Sequence, residues 1–285
     1  MGLLGRDEWR GQWIGGANQL RTEFKLAEAA VRARAYICGL GYNELRINGA
    51  KVGDNVLDPA WTTYDKRVLY NAYDVTAYLR RGPNALGVML GEGWFHSKVL
   101  LLQINIELAT GRQVSIVSGP GWKVHDGPIL SDSVWDGETY DARLETPGWD
   151  LPGFDDASWG AAQLVAGPQG TISAQMMPPI RVVDTLVPVS MTNPRPNVYV
   201  YDMGQNFSGW AQLRVAGPRG AAITLRFSEL LYENGMINRD NIEAAKARDV
   251  YILGGEGLHG FAFAQSLKRP QTDRSCRTTE PRPAT

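Results

Sequence analysis

The chain has 285 residues, 44% hydrophobic and 21% charged, with a formal net charge of −1 at pH 7. That length buries a sizeable core and suits about two domains. The balanced charge leaves no polycationic face for nucleic acid, and no window reaches the roughly 18 apolar residues of a membrane-spanning helix, so neither nucleic acid nor a membrane is an expected partner.

The opening stretch, "MGLLGRDEWRGQWIGG", has no basic segment followed by a long apolar run, so a cytoplasmic location is expected. Cys38 lies in a strand-like run and Cys276 in a polar tail, which does not make a disulfide framework. Alternation of apolar and polar residues then predicts short strands: "RTEFKL", "ARAYICGL", "NELRING", "RVLYNAYDV", "NALGVML", "LLLQINIELA", "QVSIVS" and "WKVHD". The Asn-Gly of "INGAKVG" and the Thr-Gly of "ATGRQVS" mark hairpins. "DVTAYLRRGPN" is the one helical turn in this half. From Trp135 to Gly170, Gly, Pro, Asp and Trp alternate with neither period, which predicts an ordered, Trp-pinned segment or a linker packed on the sandwich.

A second set of strands follows: "IRVVDTLVPVSM", "NVYVYDMG", "WAQLRVAG", "AAITLRFSELL" and "RDVYILGGEG". Many short strands at close spacing predict an all-β fold of two antiparallel, jelly-roll-like β-sandwiches. The expected division is 1–175, 176–257 and a polar tail, 258–285, too poor in apolar residues to bury and therefore expected to be disordered. The last strong strand, "VYILGG", then lacks a good antiparallel partner and is expected to leave an open edge.

The run "ARAYICGLGYNELRINGAKVGDNVLDPAWTTYDKRVLYNAYDVTAYLRRGPNALGVMLGEGWF", with "DGETYDARLETPGWDLPGFDDASW" after it, resembles the N-terminal sandwich of bacterial α-L-rhamnosidases. "YVYDMGQNFSGWAQLRVAGPRGAAITLRFSELLYENGMINRDNIEAAKARDVYILGGEG" resembles their concanavalin-like domain. The resemblance implies hydrolysis of terminal α-L-rhamnosides by carboxylates on an (α/α)6 barrel, for which this chain has no helical hairpins. That absent barrel is an implied partner, and a truncation or frame slip near Gly257 is the expected cause. The loop after "GWFHSK" is also shorter than the family's usual one.

"GDNVLDPAWTTYDKR" carries more carboxylates, amides and aromatics than a turn needs. A sugar site needs an aromatic face with planar amides and carboxylates for vicinal hydroxyls. Asp54, Asn55 and Trp61, with Glu92 and Trp94 of "GEGWFHSK", are the candidate set for a rhamnose-containing carbohydrate. No cofactor is required, but calcium takes six to eight oxygens, and Asp54, Asn55 and Asp58 are its candidate ligands; the resemblance supports rhamnose held through calcium. Against this, Asp and Asn build turns on their own backbone, with Trp61 filling between sheets and Trp94 in the core.

"WDGETYDAR" offers Asp136, Glu138, Asp141 and Arg143, either as a bidentate clasp on an irregular segment or, less simply, as a glycosidase pair. In "YDMGQNFSGW", Gln205, Asn206, Phe207 and Trp210 beside Gly204 and Gly209 are expected to pack against another domain.

Overall fold

The computed structural model describes residues 2–242, 245–255, 257–262 and 276–282. Nearly all of its regular structure is strand, and the few helical turns are three-residue 3-10 pieces such as Thr76–Tyr78. The chain divides into two compact units, Met1–Gly127 with Thr146–Arg181, and Pro128–Glu145 with Val182–Thr285. The crossover comes at 181/182, and the segment 128–145, grouped by its sequence with the first half, sits in the second unit. Its strands pair there, with Gly137–Asp141 beside Arg248–Ile252.

In the first unit two sheets face each other. One runs Gln163–Leu164, Ile14–Gly15, Val99–Leu108, Ala30–Leu40, Arg67–Asp74, Thr171–Ala174, with Gln113–Val117 also on Val99–Leu108. The other runs Gly160–Ala161, Lys123–His125, Gln19–Leu26, Gly82–Gly91, Tyr42–Ile47, Ala50–Lys51. Period-2 side chains explain the core: Leu100, Leu102, Ile104, Ile106 and Leu108 point inward with Ala33, Ala35 and Ile37, against Leu45, Leu86, Val88 and Leu90 of the facing sheet. Burying each such Leu or Ile contributes about 1.5–3 kcal/mol.

The alternate side chains, Tyr36, Cys38, Leu40, Val99 and Leu101, are also buried, because the N-terminal residues cover that outer face. Tyr70 Oη accepts from Leu4 N at 2.8 Å and donates to Leu4 O at 2.9 Å, and Trp9 meets Tyr36 and Tyr70 edge-on. This double coverage is why the strand opens on four apolar residues, Val99, Leu100, Leu101 and Leu102, before Gln103, Asn105 and Glu107 restore the alternation.

The expected Asn-Gly hairpin is present: Ile47 pairs Ala50 across Asn48 (φ 53°) and Gly49 (φ 87°), the positive-φ pair a type I′ turn requires. The irregular segment 146–159 is pinned to the outer face of the second sheet by Arg21, which is 1% exposed. Its Nε donates to Trp149 O at 2.8 Å, its guanidinium pairs with Glu23 and Asp156, and it lies over the Phe154 ring. Trp149 and Trp159 stack 6.2 Å apart, and a Cβ on Gly87 would strike the Trp149 ring at 2.7 Å.

The second unit is built on a sheet ordered Ile129–Ser133, Gly137–Asp141, Arg248–Ile252, Ala222–Ser228, Cys276–Arg282, Val198–Asp202, Ser190–Arg195. The open edge expected at "VYILGG" does not arise. Arg248–Ile252 is antiparallel to Ala222–Ser228 and parallel to Gly137–Asp141, a partner about a hundred residues earlier in the chain. Leu258–Ala262 pairs with Gln212–Ala216, and its Phe261 ring packs on Tyr140 and Tyr251. Of the tail expected to be disordered, Leu258–Ala262 and the backbone of Cys276–Arg282 are therefore in strands, since ladder bonds use main-chain groups that any sequence supplies. Residues 263–275 and 283–285 lie outside the described residues.

Candidate functional site

The loop between Lys51 and Arg67 turns around Asp58, a carboxylate 2% exposed. Asn55 Nδ2 donates to Asp58 Oδ2 at 2.6 Å, Asn71 Nδ2 to the same oxygen at 3.1 Å, and Gln175 Nε2 to Oδ1 at 3.3 Å. The Asp58 carbonyl accepts from Asn43 N and Nδ2 at 2.8 and 3.0 Å. Burial pushes the Asp58 carboxyl above the usual range, against the opposing pull of the Gln175, Asn55 and Asn71 N–H groups and of Arg181. Three amides from three segments thus converge on one acceptor, as a buried charge demands.

Asp54 points elsewhere. It is exposed, and its Oδ1 lies 3.0 Å from Arg181 Nε, which also donates to Asn55 Oδ1 at 3.3 Å. The three candidate calcium ligands therefore do not form an oxygen cage. The Asp58 oxygens face amide N–H groups, the Asn55 oxygen faces a guanidinium, and no cluster of three His, Cys, Asp or Glu suited to a metal occurs among the described residues. The donor set as arranged does not fit calcium.

Past Pro59 the same loop presents Trp61, which is 58% exposed and so is not a filler between sheets. Its ring meets that of Trp94, half-buried, at 5.4 Å between centroids and 37° between planes. The turn carrying Trp94 is set by close backbone approach: a Cβ on Gly41 (φ 95°) would press into the backbone of Gly91 and Glu92, and Gly93 (φ 49°) abuts Gly41. The Glu92 carbonyl accepts from Phe95 N and His96 N at 3.1 Å, and Lys98 Nζ lies 3.8 Å from Glu92 Oε1. Phe95 packs edge-on against Tyr64 of the first loop at 5.1 Å. Two loops 30 residues apart in sequence are thereby locked together, with an aromatic pair at their junction. Sequence placed Trp61, Glu92 and Trp94 in one site, and the two indoles do meet. Asn71, Gln175 and Arg181, which organise Asp58, were missed. The one available signal was a polar Asn inside the alternating run "RVLYNAYDV".

The family model of the α-L-rhamnosidase N-terminal domain matches residues 28–184, over half the chain. The chain belongs to the bacterial α-L-rhamnosidase family. The family's concanavalin-like domain matches residues 192–268. An α-L-rhamnosidase of Streptomyces avermitilis is 41% identical over 276 residues, covering 87% of this chain and 26% of that protein; one of Formosa agariphila is 35% identical over 281 residues, covering 87% and 30%. The solved structure of α-L-rhamnosidase from Dictyoglumus thermophilum superposes with a TM-score of 0.93 at 36% identity, over 100% of this chain and 35% of that one. The Streptomyces avermitilis enzyme, crystallised in complex with L-rhamnose, gives 0.89 at 38% identity over 95% and 28%. The chain thus spans about a quarter to a third of the length of these α-L-rhamnosidases.

In the segment that crosses to the concanavalin-like part, Asp141 is held by Arg143 through Nε to Oδ1 at 2.9 Å and Nη2 to Oδ2 at 2.7 Å, and Arg143 N donates to Oδ1 at 3.0 Å. That clasp keeps the Asp141 carboxyl below the usual range. Glu138 is 2% exposed, and Asp136 pairs with Lys246 at 2.6 Å. Of the two readings of this segment, the geometry is that of the bidentate clasp. In "YDMGQNFSGW", Gly204 (φ 74°) lies under Val189, and Gly204 N donates to Asp202 Oδ1 at 2.8 Å. Gln205 is exposed, while Asn206, Phe207 and Trp210 are half-buried.

Proposed function

We propose that this chain is a sugar-recognition and scaffold portion of an α-L-rhamnosidase, binding rhamnose-containing carbohydrate where Trp61 and Trp94 meet. The observation that carries the reading is that pair: an indole 58% exposed, tilted against a second one held in place by the Glu92–His96 turn. An aromatic face takes the C–H side of a pyranose, and Glu92, with Lys98 beside it, supplies polar groups for hydroxyls. The crystallised complex of the Streptomyces avermitilis relative with L-rhamnose supports the choice of sugar. Hydrolysis of terminal α-L-rhamnosides is the task of the barrel that the family resemblance implies. Following indole emission during titration with L-rhamnose tests the reading: a saturable change is expected in the chain as it stands, and a flat response from both the wild type and Trp61→Ala sinks it.

A second role, scaffolding for a further domain, has its own support. In the second unit Val182, Val183, Val187, Val189 and Met191 are exposed at 60%, 95%, 76%, 69% and 54%, in a stretch where soluble surfaces are usually polar. With Phe207 and Trp210 half-buried, this unit presents apolar surface suited to a packed neighbour. Concentration-dependent association of the chain alone is expected by light scattering, and a strictly monomeric chain at high concentration counts against it.

A further inference from the structure

Trp61 is 58% exposed, yet the main chain on either side of it is pinned. On one side Ala60 N donates to Gln175 Oε1 at 2.8 Å. On the other, Thr62 Oγ1 donates to the Arg67 carbonyl at 2.6 Å, and Thr63 O accepts from Lys66 N and Arg67 N at 2.8 and 3.0 Å. A large ring on a fixed main chain has few ways to lie, which lowers the ordering cost of a ligand that stacks on it.

Gln175 reaches this loop from far along the chain. It follows Thr171–Ala174, which lies parallel to Arg67–Asp74, and its own N donates to Tyr70 O at 2.8 Å. A Cβ on Gly170 would run into the Tyr64 carbonyl, so a glycine there lets the strand lie against the Trp61 loop. The Gln175 side chain then bridges two unlike groups: its Nε2 donates to Asp58 Oδ1 at 3.3 Å, and its Oε1 accepts from Ala60 N. An ionised carboxylate only accepts and a backbone N–H only donates, so one orientation of the amide satisfies both. Asp58 Oδ2 already accepts from Asn55 and Asn71, which leaves Oδ1 to Gln175. The other titratable groups around Asp58 are Arg181 and Asp54, paired with each other at 3.0 Å, and the Tyr73 phenol, which accepts from Asn55 Nδ2 at 3.2 Å.

From this arrangement we propose that Gln175 is the positioning residue of the Trp61–Trp94 rim: by tying Ala60 N to the Asp58 hub it fixes the angle at which the Trp61 indole meets a sugar. This role rests on the sugar reading of the rim. Isothermal titration of L-rhamnose into the wild-type chain, Gln175→Met and Gln175→Glu, repeated from neutral to acid pH, tests it. Gln175→Met keeps the length of the side chain and loses both bonds, so its affinity should be about three- to tenfold below wild type at every pH. Gln175→Glu should be as weak at neutral pH, where two carboxylates face each other across the bridge. On acidification that pair takes up a proton, and a protonated carboxyl gives one hydrogen bond and accepts another as the amide does. Its affinity relative to wild type at the same pH should then recover. Hydrogen exchange at Ala60 N in the wild type needs no variant: the amide should be protected, and exchange at the rate of an open loop overturns the bridge. Unchanged affinity in both variants overturns the assignment, and so does equal weakening of the two at every pH, the mark of a merely loosened loop. A wild type that gives no saturable heat overturns the rim reading itself, and this role with it.

Discussion

Trp61 and Trp94, 33 residues apart in sequence, hold their rings 5.4 Å apart at a 37° tilt. Neither residue is placed by its own hydrophobicity. Trp61 rides on a loop whose root is the Asp58 carboxylate, and Trp94 on a turn whose root is the contact of Gly41 with Gly91 and Glu92.

Gly41→Ala is expected to disturb the rim more than its size suggests. The residue has φ 95°, and its new Cβ would push on main-chain atoms of the Glu92 turn. Strain and overpacking together should cost about 3 kcal/mol or more. Urea unfolding reads the stability, and indole emission should shift as the Trp61–Trp94 pair separates. A variant with wild-type midpoint and emission contradicts this placement.

Removing the guanidinium in Arg21→Met leaves Glu23 and Asp156 without their shared cation and the Trp149 carbonyl without its donor. The two carboxylates left behind are partly exposed and can be solvated, so the loss should cost about 1.5–3 kcal/mol, the worth of the charge-assisted bonds. Hydrogen exchange should accelerate across residues 146–159 before it does elsewhere in the first unit. Uniform acceleration would mean that the segment is not held by this residue.

Asp58 makes a pH prediction with a definite sign. Its carboxyl is raised above the unfolded value by burial, so the folded state binds the proton more tightly. The stability it contributes is fully present below the unfolded carboxylate pKa and is lost as pH rises through the raised folded value. Comparing unfolding midpoints of wild type and Asp58→Asn across acid pH should therefore show the wild type losing ground as pH rises through that window. The opposite slope would place Asp58 among carboxylates stabilised in their charged form.

Glu138→Gln and Asp141→Asn should change no hydrolytic rate toward a chromogenic rhamnoside, because one side chain is sealed and the other is bound by Arg143. Asp141→Asn should instead destabilise the fold by about 1.5–3 kcal/mol through loss of charge-assisted bonds. Turnover that disappears in either variant would return catalysis to this segment.

Much of the fold was legible because period-2 alternation and turn chemistry are local signals. Asn48-Gly49 demanded a hairpin, and the alternation from Leu102 to Leu108 marked a strand with one face in the core. Partner choice is not local. Nothing in "DGETYDAR" says that Gly137–Asp141 should lie parallel to a strand at 248–252, or that Thr171–Ala174 should lie parallel to Arg67–Asp74. At the site, the two Trp were visible as residue types near strand ends. The hub was not, since Asn71 looks like one polar interruption of a strand until Asp58 and Gln175 are brought beside it.

The central claim is that the Trp61–Trp94 rim takes a rhamnose-type sugar. Isothermal titration of L-rhamnose into the wild-type chain and into Trp61→Ala tests it most directly. The account predicts saturable heat in the wild type and an affinity at least tenfold weaker, about 1.4 kcal/mol, after loss of the exposed ring. Trp61→Ala should unfold at the wild-type denaturant concentration, since its side chain is 58% exposed. Equal affinity in the two chains, or no heat from either at millimolar sugar, would contradict it.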